Sequence, residues 1–426
     1  MIVAGLKGSE RMNEGFAGYG LKAPEILLPD ERFDYSKWAV IACDQHTAQP
    51  EYWEEVKKIA GSEPSTLNII YPEAWLNQGD GRIEAINSAM REYRSCVLTR
   101  RVDGFVLVER QVPQGARLGL LAALDLERYD PAPGSASLIR ATEGTIQERV
   151  PPRVRIRQGA ILESPHVMAL ADDPGHTLIE PVYAMRGEFE PLYDFDLMLG
   201  GGRVRGWKVS EWVHGSMLAA LDGLAARAGG LLIAVGDGNH SLAAAKACWE
   251  TIKEGLDEAA RAEHPARYAL AEVVNLHDPS LTFEPIHRVL KGEGTNRVID
   301  DFRRWLNRRG MGLSPASVDA MFTFVDESGQ HPLQIERLEN PLPLYTLQHF
   351  LDEWLAENPG AELDYVHGEQ AAASLAGGDA CVFLMTAIDK AALFEGVRHG
   401  GALPRKTFSM GEAHEKRYYL ECRALV

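Results

Sequence analysis

Paired cysteines are missing from this chain. Its five cysteines, Cys43, Cys96, Cys248, Cys381 and Cys422, are odd in number and scattered, with no CxxC pair. That excludes a disulfide framework and a thiolate zinc site, and leaves reduced thiols in a cytoplasm as the expectation. Positive charge is also scarce. Forty-four Lys and Arg stand against 61 Asp and Glu, a net charge of −17, so the global field repels nucleic acid and acidic membranes. No apolar run is long enough to span a membrane, and the opening MIVAGLKGSERMNEG has too short an apolar segment for a signal peptide. Internal repeats and low-complexity tracts are absent, as are GxGxxG and the P-loop pattern GxxxxGK followed by Ser or Thr. Neither a Rossmann nor a P-loop site is announced.

What is present is an ordinary globular composition, 45% hydrophobic over 426 residues, enough to bury a full core in two or three domains. Residues 1–11 read as a disordered tail, 12–133 as an N-terminal section, 134–290 as a core section and 291–426 as a C-terminal section. Periodicity predicts helices over Glu51–Ala60, Arg82–Cys96, Gly215–Arg227, Leu242–Glu254 and Val298–Arg308. Strands are predicted over Gly104–Arg110, Leu118–Leu126, Leu363–His367 and Ala380–Met385. The class is α+β, mixed sheets with packed helices.

The most informative stretch is LLIAVGDGNHSLAAAK, Leu231 to Lys246. An apolar strand stops at a glycine-bracketed polar turn and an alanine-rich helix follows, which places free N–H groups and a helix dipole at one point, an anion site. Asp237 sits at the strand end, Gly238, Asn239 and His240 in the turn, and Ser241 at the cap position. The structural alternative is an ordinary helix cap, with Gly238 supplying only a backbone angle.

Other clusters carry chemistry. Arg140, Glu143, Thr145, Glu148 and Arg149 fall within ten residues, followed by Arg153, Arg155 and Arg157. Alternate arginines on a strand share a face and clamp phosphate; the alternative is a solvated edge strand. Glu284-Pro-Ile-His287-Arg288 and Pro404-Arg405-Lys406-Thr407-Phe408-Ser409 each offer cations beside hydrogen-bonding groups, and surface loops are the alternative for both. Cys43-Asp44-Gln45-His46-Thr47 holds metal-ligand types without a second ligand at metal spacing. His166, His176 and His214 carry no argument.

The series DQHTAQPEYW, ATEGTIQERVPPRVRIR, SPHVM, GDGNHSLAAAK, EPIHR, DYVHGE and LPRKTFSMG resembles the bacterial domain-of-unknown-function 1015 family. The Asp-Gly-x-His turn and the preceding Arg-x-x-Glu-x-Thr segment also resemble the two boxes of the ParB and sulfiredoxin superfamily, which includes ADP-dependent free serine kinases. That resemblance implies a ParB/sulfiredoxin-like core in the middle section. In the kinase pattern the first box has a His-Glu pair whose glutamate takes the serine proton; here it is Thr142-Glu143. The second box, Asp-Gly-His-x-Arg, is here Asp237-Gly238-Asn239-His240-Ser241, with serine for the arginine. Arg149, Arg153 or Arg288 could supply that charge from another strand.

The resulting expectation is a phosphoryl-transfer enzyme acting on a nucleotide or phosphorylated metabolite, with serine or phosphoserine implied by the resemblance. Glu143, Asp237 and His240 are the expected catalytic groups. ADP or ATP is expected on Arg140, Thr145, Arg149, Gly238, Asn239, Ser241, His287, Arg288, Lys406 and Thr407, with Mg²⁺ on Asp237. A non-catalytic nucleotide or amino-acid sensor and a metal-dependent hydrolase using Asp44 or Asp237 are the alternatives. The partner is a small molecule, with neither nucleic acid nor membrane.

Overall fold

The computed structural model describes residues 15–47, 49–144, 149–316, 318–338, 340 and 342–426. The expected tail, residues 1–11, and two residues of the arginine-rich segment, Thr145 and Glu148, lie outside the described residues. The chain is α+β and divides into two compact units. The first comprises residues 1–281 and 412–426, and the second residues 282–411.

The first unit is built on a ten-stranded mixed sheet. Its strands are β1 (Leu21–Lys22), β2 (Val106–Val112), β3 (Gly115–Asp125), β4 (Tyr129–Asp130), β5 (Ile139–Ala141), β6 (Met168–Ala171), β7 (Glu190–Asp196), β8 (Arg203–Lys208), β9 (Ile233–Asp237) and β10 (Tyr268–Asn275). The order is β7-β8-β2-β3-β10-β6-β9-β5-β4, with β1 beside β3. Parallel pairs are β6 with β10, β5 with β9 and β4 with β5. Both faces are covered. Val106 and Val108 enter one apolar cluster with α1 (Pro50–Ala60) and α2 (Asp80–Cys96), whereas Leu107 enters another with α4 (His214–Arg227) and α5 (Asn239–Lys253). A strand buried on two faces loses polar alternation, which is why β2 opens on the unbroken apolar stretch Val106–Val108. Helix α5 docks through Leu242, Ala245 and Trp249, one stripe at helical spacing.

Residues 150–157 differ from expectation. They form a helix, α3 (Val150–Arg157), not an edge strand. Pro151 and Pro152 fall in its first turn, where the missing N–H groups have no intrahelical partner to lose. At helical pitch Arg153 and Arg157 share a face that Arg155 leaves.

Residues 412–426 stitch the first unit together. Tyr418–Tyr419 pairs with Val40–Ile41, Arg423–Ala424 with Leu162–Glu163, and Cys422 exchanges backbone bonds of 2.9 and 2.7 Å with Leu27. The segment therefore makes short pairings with separate neighbours and no single long strand.

The second unit has a seven-stranded antiparallel sheet of β11 (Phe283–Gly292), β12 (Gly312–Pro315), β13 (Phe322–Asp326), β14 (Gly329–Glu336), β15 (Ala361–His367), β16 (Ala380–Met385) and β17 (Phe408–Met410). The order is β12-β14-β13-β16-β11-β15, with β17 on β11. Val298, Phe302, Trp305 and Leu306 of α6 (Val298–Arg308) and Leu347, Phe350, Leu351 and Trp354 of α7 (Pro343–Glu357) pack in its core. No helix among the described residues is long and apolar enough to cross a membrane.

Candidate functional site

The turn after β9 is tighter than its sequence implies. Gly238 takes the left-handed conformation, φ +80°, and caps α5 directly, so the helix begins at Asn239 and Ser241 is its third residue. This corrects the expected capping role of Ser241. The reason is steric: Gly238 faces Val167 and His166, and a Cβ there would lie 3.0 Å from Val167 Cγ2 and 3.3 Å from His166 Cδ2. Gly238→Ala is therefore expected to cost about 1–3 kcal/mol, read as a urea midpoint shift; an unchanged midpoint would mean the turn relaxes freely.

Gly238, the N-cap of α5, has no side chain with which to cap the first turn, and a helix start of this kind directs its leading N–H groups and dipole toward an acceptor. Asn239 donates from Nδ2 to Thr142 Oγ1 at 3.4 Å, and Thr142 Oγ1 in turn donates to Val235 O at 2.6 Å. Asn239 Oδ1 is buried and has no hydrogen-bond partner among the described residues. Because β5 and β9 run parallel, Thr142-Glu143 and the Asp237 turn emerge at one edge of the sheet.

Side chains remote in sequence complete this edge. Lys416 Nζ lies 3.2 Å from Asp237 Oδ2, while Asp237 Oδ1 accepts the Gly238 N–H at 2.9 Å. Tyr419 Oη lies 2.6 Å from His166 Nδ1 and 3.0 Å from Cys43 Sγ. Burial alone would raise the Asp44 carboxyl, but the electrostatic influence of His166 and Lys416 and the hydrogen bond from the Gln45 amide, 2.9 Å away, outweigh it and hold the group below its ordinary range. Burial pushes the Cys43 thiol up to about 12, so it is a neutral thiol at pH 7. A cavity of about 140 Å³ opens here, lined among others by Cys43, His166, Tyr419, Arg153, Ser241 and Ala244. A larger cavity of about 530 Å³, bordered by Lys22, Arg94 and Val426, is reached by none of these motifs.

Two buried arginines deliver Lys416. Arg110 donates to Gly201 O at 2.9 Å and to Lys416 O and His414 O, each at 2.7 Å; Arg117 donates to Glu415 O at 2.8 Å. Below them Arg417, 3% exposed, pairs with Glu272 at 2.9 Å and with Glu421, which also accepts the Tyr193 hydroxyl.

The remaining expected residues divide. Arg140 bonds the carbonyls of Ser137 and Gly230, which precede β9, so these bonds run away from the turn. Arg149 leads into α3, its carbonyl accepting Arg153 Nη1 at 2.8 Å. His240 lies in the first turn of α5. His287, Arg288, Lys406 and Thr407 belong to the second unit. There β17 pairs with β11, and buried Arg288 reaches Arg405 O at 3.3 Å and Gln348 at 3.3 Å, so the EPIHR and PRKTF clusters meet each other. His287 Nδ1 accepts Met385 N–H at 3.0 Å, and burial lowers its pKa. His46 stacks on Tyr52, 3.7 Å between centroids. Among the described residues no group of three or more His, Cys, Asp or Glu is placed to hold a metal ion, and Lys416 stands beside Asp237 where Mg²⁺ was expected.

Sequence reasoning missed His166, Lys416 and Tyr419. Their signal was weak but present: SPHVM and EKRYYLEC intersperse charged or polar groups among residues that otherwise read as buried.

The family model described as "Protein of unknown function (DUF1015)" matches residues 27–353. The chain belongs to the DUF1015 family. No curated protein matches the sequence. Solved structures similar to it include a free serine kinase in complex with AMP, at 13% identity and TM-score 0.37, covering 71% of this chain and 90% of that one. A conserved hypothetical protein from Pyrococcus furiosus matches at 13% identity and TM-score 0.33, covering 69% and 90%. SbnI with a C-terminal truncation, from Staphylococcus aureus, matches at 10% identity and TM-score 0.37, covering 70% and 85%. At TM-scores this low, none of these likenesses fixes a ligand or an activity for this DUF1015 chain.

Proposed function

We propose that the first unit is a phosphoryl-transfer enzyme with a ParB/sulfiredoxin-like core, holding the phosphoryl group of a nucleotide or phosphorylated metabolite at the amino end of α5. The observation that carries this reading is the glycine-capped start of α5, set next to buried Lys416 and lining a cavity through Ser241. Helix N–H groups and dipole attract an anion. Phosphoryl transfer needs positioning and charge neutralisation more than covalent catalysis. Lys416 supplies the charge that the kinase pattern draws from an arginine at the Ser241 position. Magnesium takes one or two carboxylates and fills its shell with phosphate oxygens and water, so Asp237 is the residue that would hold it together with the ligand. When bound, the ion supplies further neutralisation of phosphate charge. Serine or phosphoserine is the substrate implied by the sequence resemblance.

The test is a thermal-shift and calorimetric screen of ADP, ATP, phosphoserine and serine, with and without Mg²⁺, on the parent and on Asp237→Asn. A ligand at a hundred times its Kd stabilises the parent by about 2.7 kcal/mol. The substitution strips buried Lys416 of its carboxylate, with an expected stability loss of about 1–3 kcal/mol, and removes Mg²⁺-dependent binding. Nucleotide affinity equal to the parent's would place the site elsewhere.

A further inference from the structure

The cavity beside the turn has two kinds of lining. Apolar lining comes from Ile69, Ile70, Met90, Ile156, Leu162 and Ala244. Polar lining includes His166, Tyr419 and Ser241, the last in the first turn of α5. The charged groups on its wall are already closed on one another, Arg153 with Glu73 and Arg157 with Glu163 at 2.5 Å. A zwitterion entering here would find no open counter-charge, whereas a hydrocarbon portion would meet a matching wall.

His166 belongs to the polar lining. It is 8% exposed, and its partner among the described residues is Tyr419, at Nδ1. The edge that approaches Gly238 carries Cδ2, the carbon bonded to Nε2. Tyr419 Oη can accept Nδ1–H while donating to Cys43 Sγ, and this arrangement leaves the Nε2 lone pair as a proton acceptor. The ionisable groups around the imidazole are Tyr419 at Nδ1 and Asp44, which its field reaches; Cys43, Glu73 and Arg153 line the same cavity, and the Asp237–Lys416 pair adjoins Gly238, which approaches the ring edge.

We propose that this cavity is the acceptor pocket of the site, taking a compact hydroxyl compound with an apolar body, and that His166 accepts the proton of that hydroxyl. The proposal rests on the phosphoryl-transfer reading. The acceptor's O–H proton passes to Nε2 and its oxygen forms the new bond to phosphorus. The bond from the terminal phosphorus to the bridging oxygen of the nucleoside di- or triphosphate breaks, its electron pair remaining on that oxygen of the departing nucleoside mono- or diphosphate. Tyr419 is a positioning residue that fixes the imidazole tautomer.

The experiment follows transfer from ATP and from ADP, with Mg²⁺, to L-serine, L-threonine, homoserine and isoamyl alcohol by phosphorus NMR, alongside nucleotide affinity by calorimetry. The expected result is kcat/KM for isoamyl alcohol about tenfold or more above that for serine, the effect of burying about two further methylene groups. His166→Gln, which keeps the side chain's bulk, is expected to lose roughly 10²- to 10⁴-fold in kcat at unchanged nucleotide affinity. His166→Ala is expected to recover part of its turnover when imidazole is added. If nucleotide binds and serine is preferred, no acceptor is phosphorylated, or His166→Gln turns over at the parental rate, the acceptor proposal is overturned while nucleotide binding stands. If neither ATP nor ADP binds the parent, the proposed function fails and this proposal fails with it.

Discussion

Arg417→Met lowers the stability of the first unit by about 3–5 kcal/mol, because it strands two buried carboxylates without their cation. Arg417 is 3% exposed, Glu272 1% and Glu421 fully buried, so water cannot replace the lost charge. Coulombic attraction to Glu421 and Glu272 outweighs the burial that would otherwise lower the arginine's pKa, and its proton is held more tightly than usual. Gly119 makes room for this pairing: a Cβ there would lie 2.3 Å from Glu272 Oε1. Chemical denaturation of the parent and the variant measures the effect. Adding Glu272→Gln and Glu421→Gln to Arg417→Met is expected to recover part of the loss, since removing the whole charged group is far milder than removing one member. A single-variant midpoint equal to the parent's would show that the carboxylates are protonated or hydrated.

The second large effect is expected at Arg110, and it couples stability to the site. Its guanidinium satisfies three buried carbonyls, of Gly201, Lys416 and His414. Arg110→Met leaves those acceptors unbonded, at about 1–3 kcal/mol for each that water fails to reach. The same bonds hold the backbone from which Lys416 projects toward Asp237. The variant is therefore expected to lose nucleotide affinity by tenfold or more, about 1.4 kcal/mol in binding, even at temperatures where it remains folded. Calorimetry below the melting transition separates the two effects. Parental affinity in a destabilised but folded variant would mean that Lys416 keeps its place without the arginine.

Much of the framework was legible because it depends on local periodicity. Val298 to Arg308 is a helix over the predicted residues, and Ala380 to Met385 a strand over the predicted residues. Both patterns report which face is buried, and the hydrophobic effect acts on that face wherever the element docks. The helix after the Asp237 turn was also visible, but its start was placed three residues late. That error came from the turn: whether Gly238 or Ser241 caps depends on a left-handed angle imposed by close packing against Val167 and His166, residues about seventy positions earlier. Residues 150–157 failed differently. Alternating arginines fit a strand face as well as a helix turn, and packing against α5 decided for the helix.

The sequence by itself determined the α+β class, the apolar stripes of the long helices and the polar strand-to-helix turn at Asp237, since each follows from residues close together in the chain. It also determined, through its glycine at 238, that a left-handed cap was available there. Only the tertiary structure decided what surrounds that turn. Lys416 meets Asp237 across 179 positions and Tyr419 meets His166 across 253. These encounters exist because residues 412–426 return to pair with Val40–Ile41 and Leu162–Glu163, and because buried arginines hold their carbonyls. No local pattern encodes such meetings. They follow from the requirement that every buried charge and carbonyl find a partner, which only a complete packing arrangement can meet.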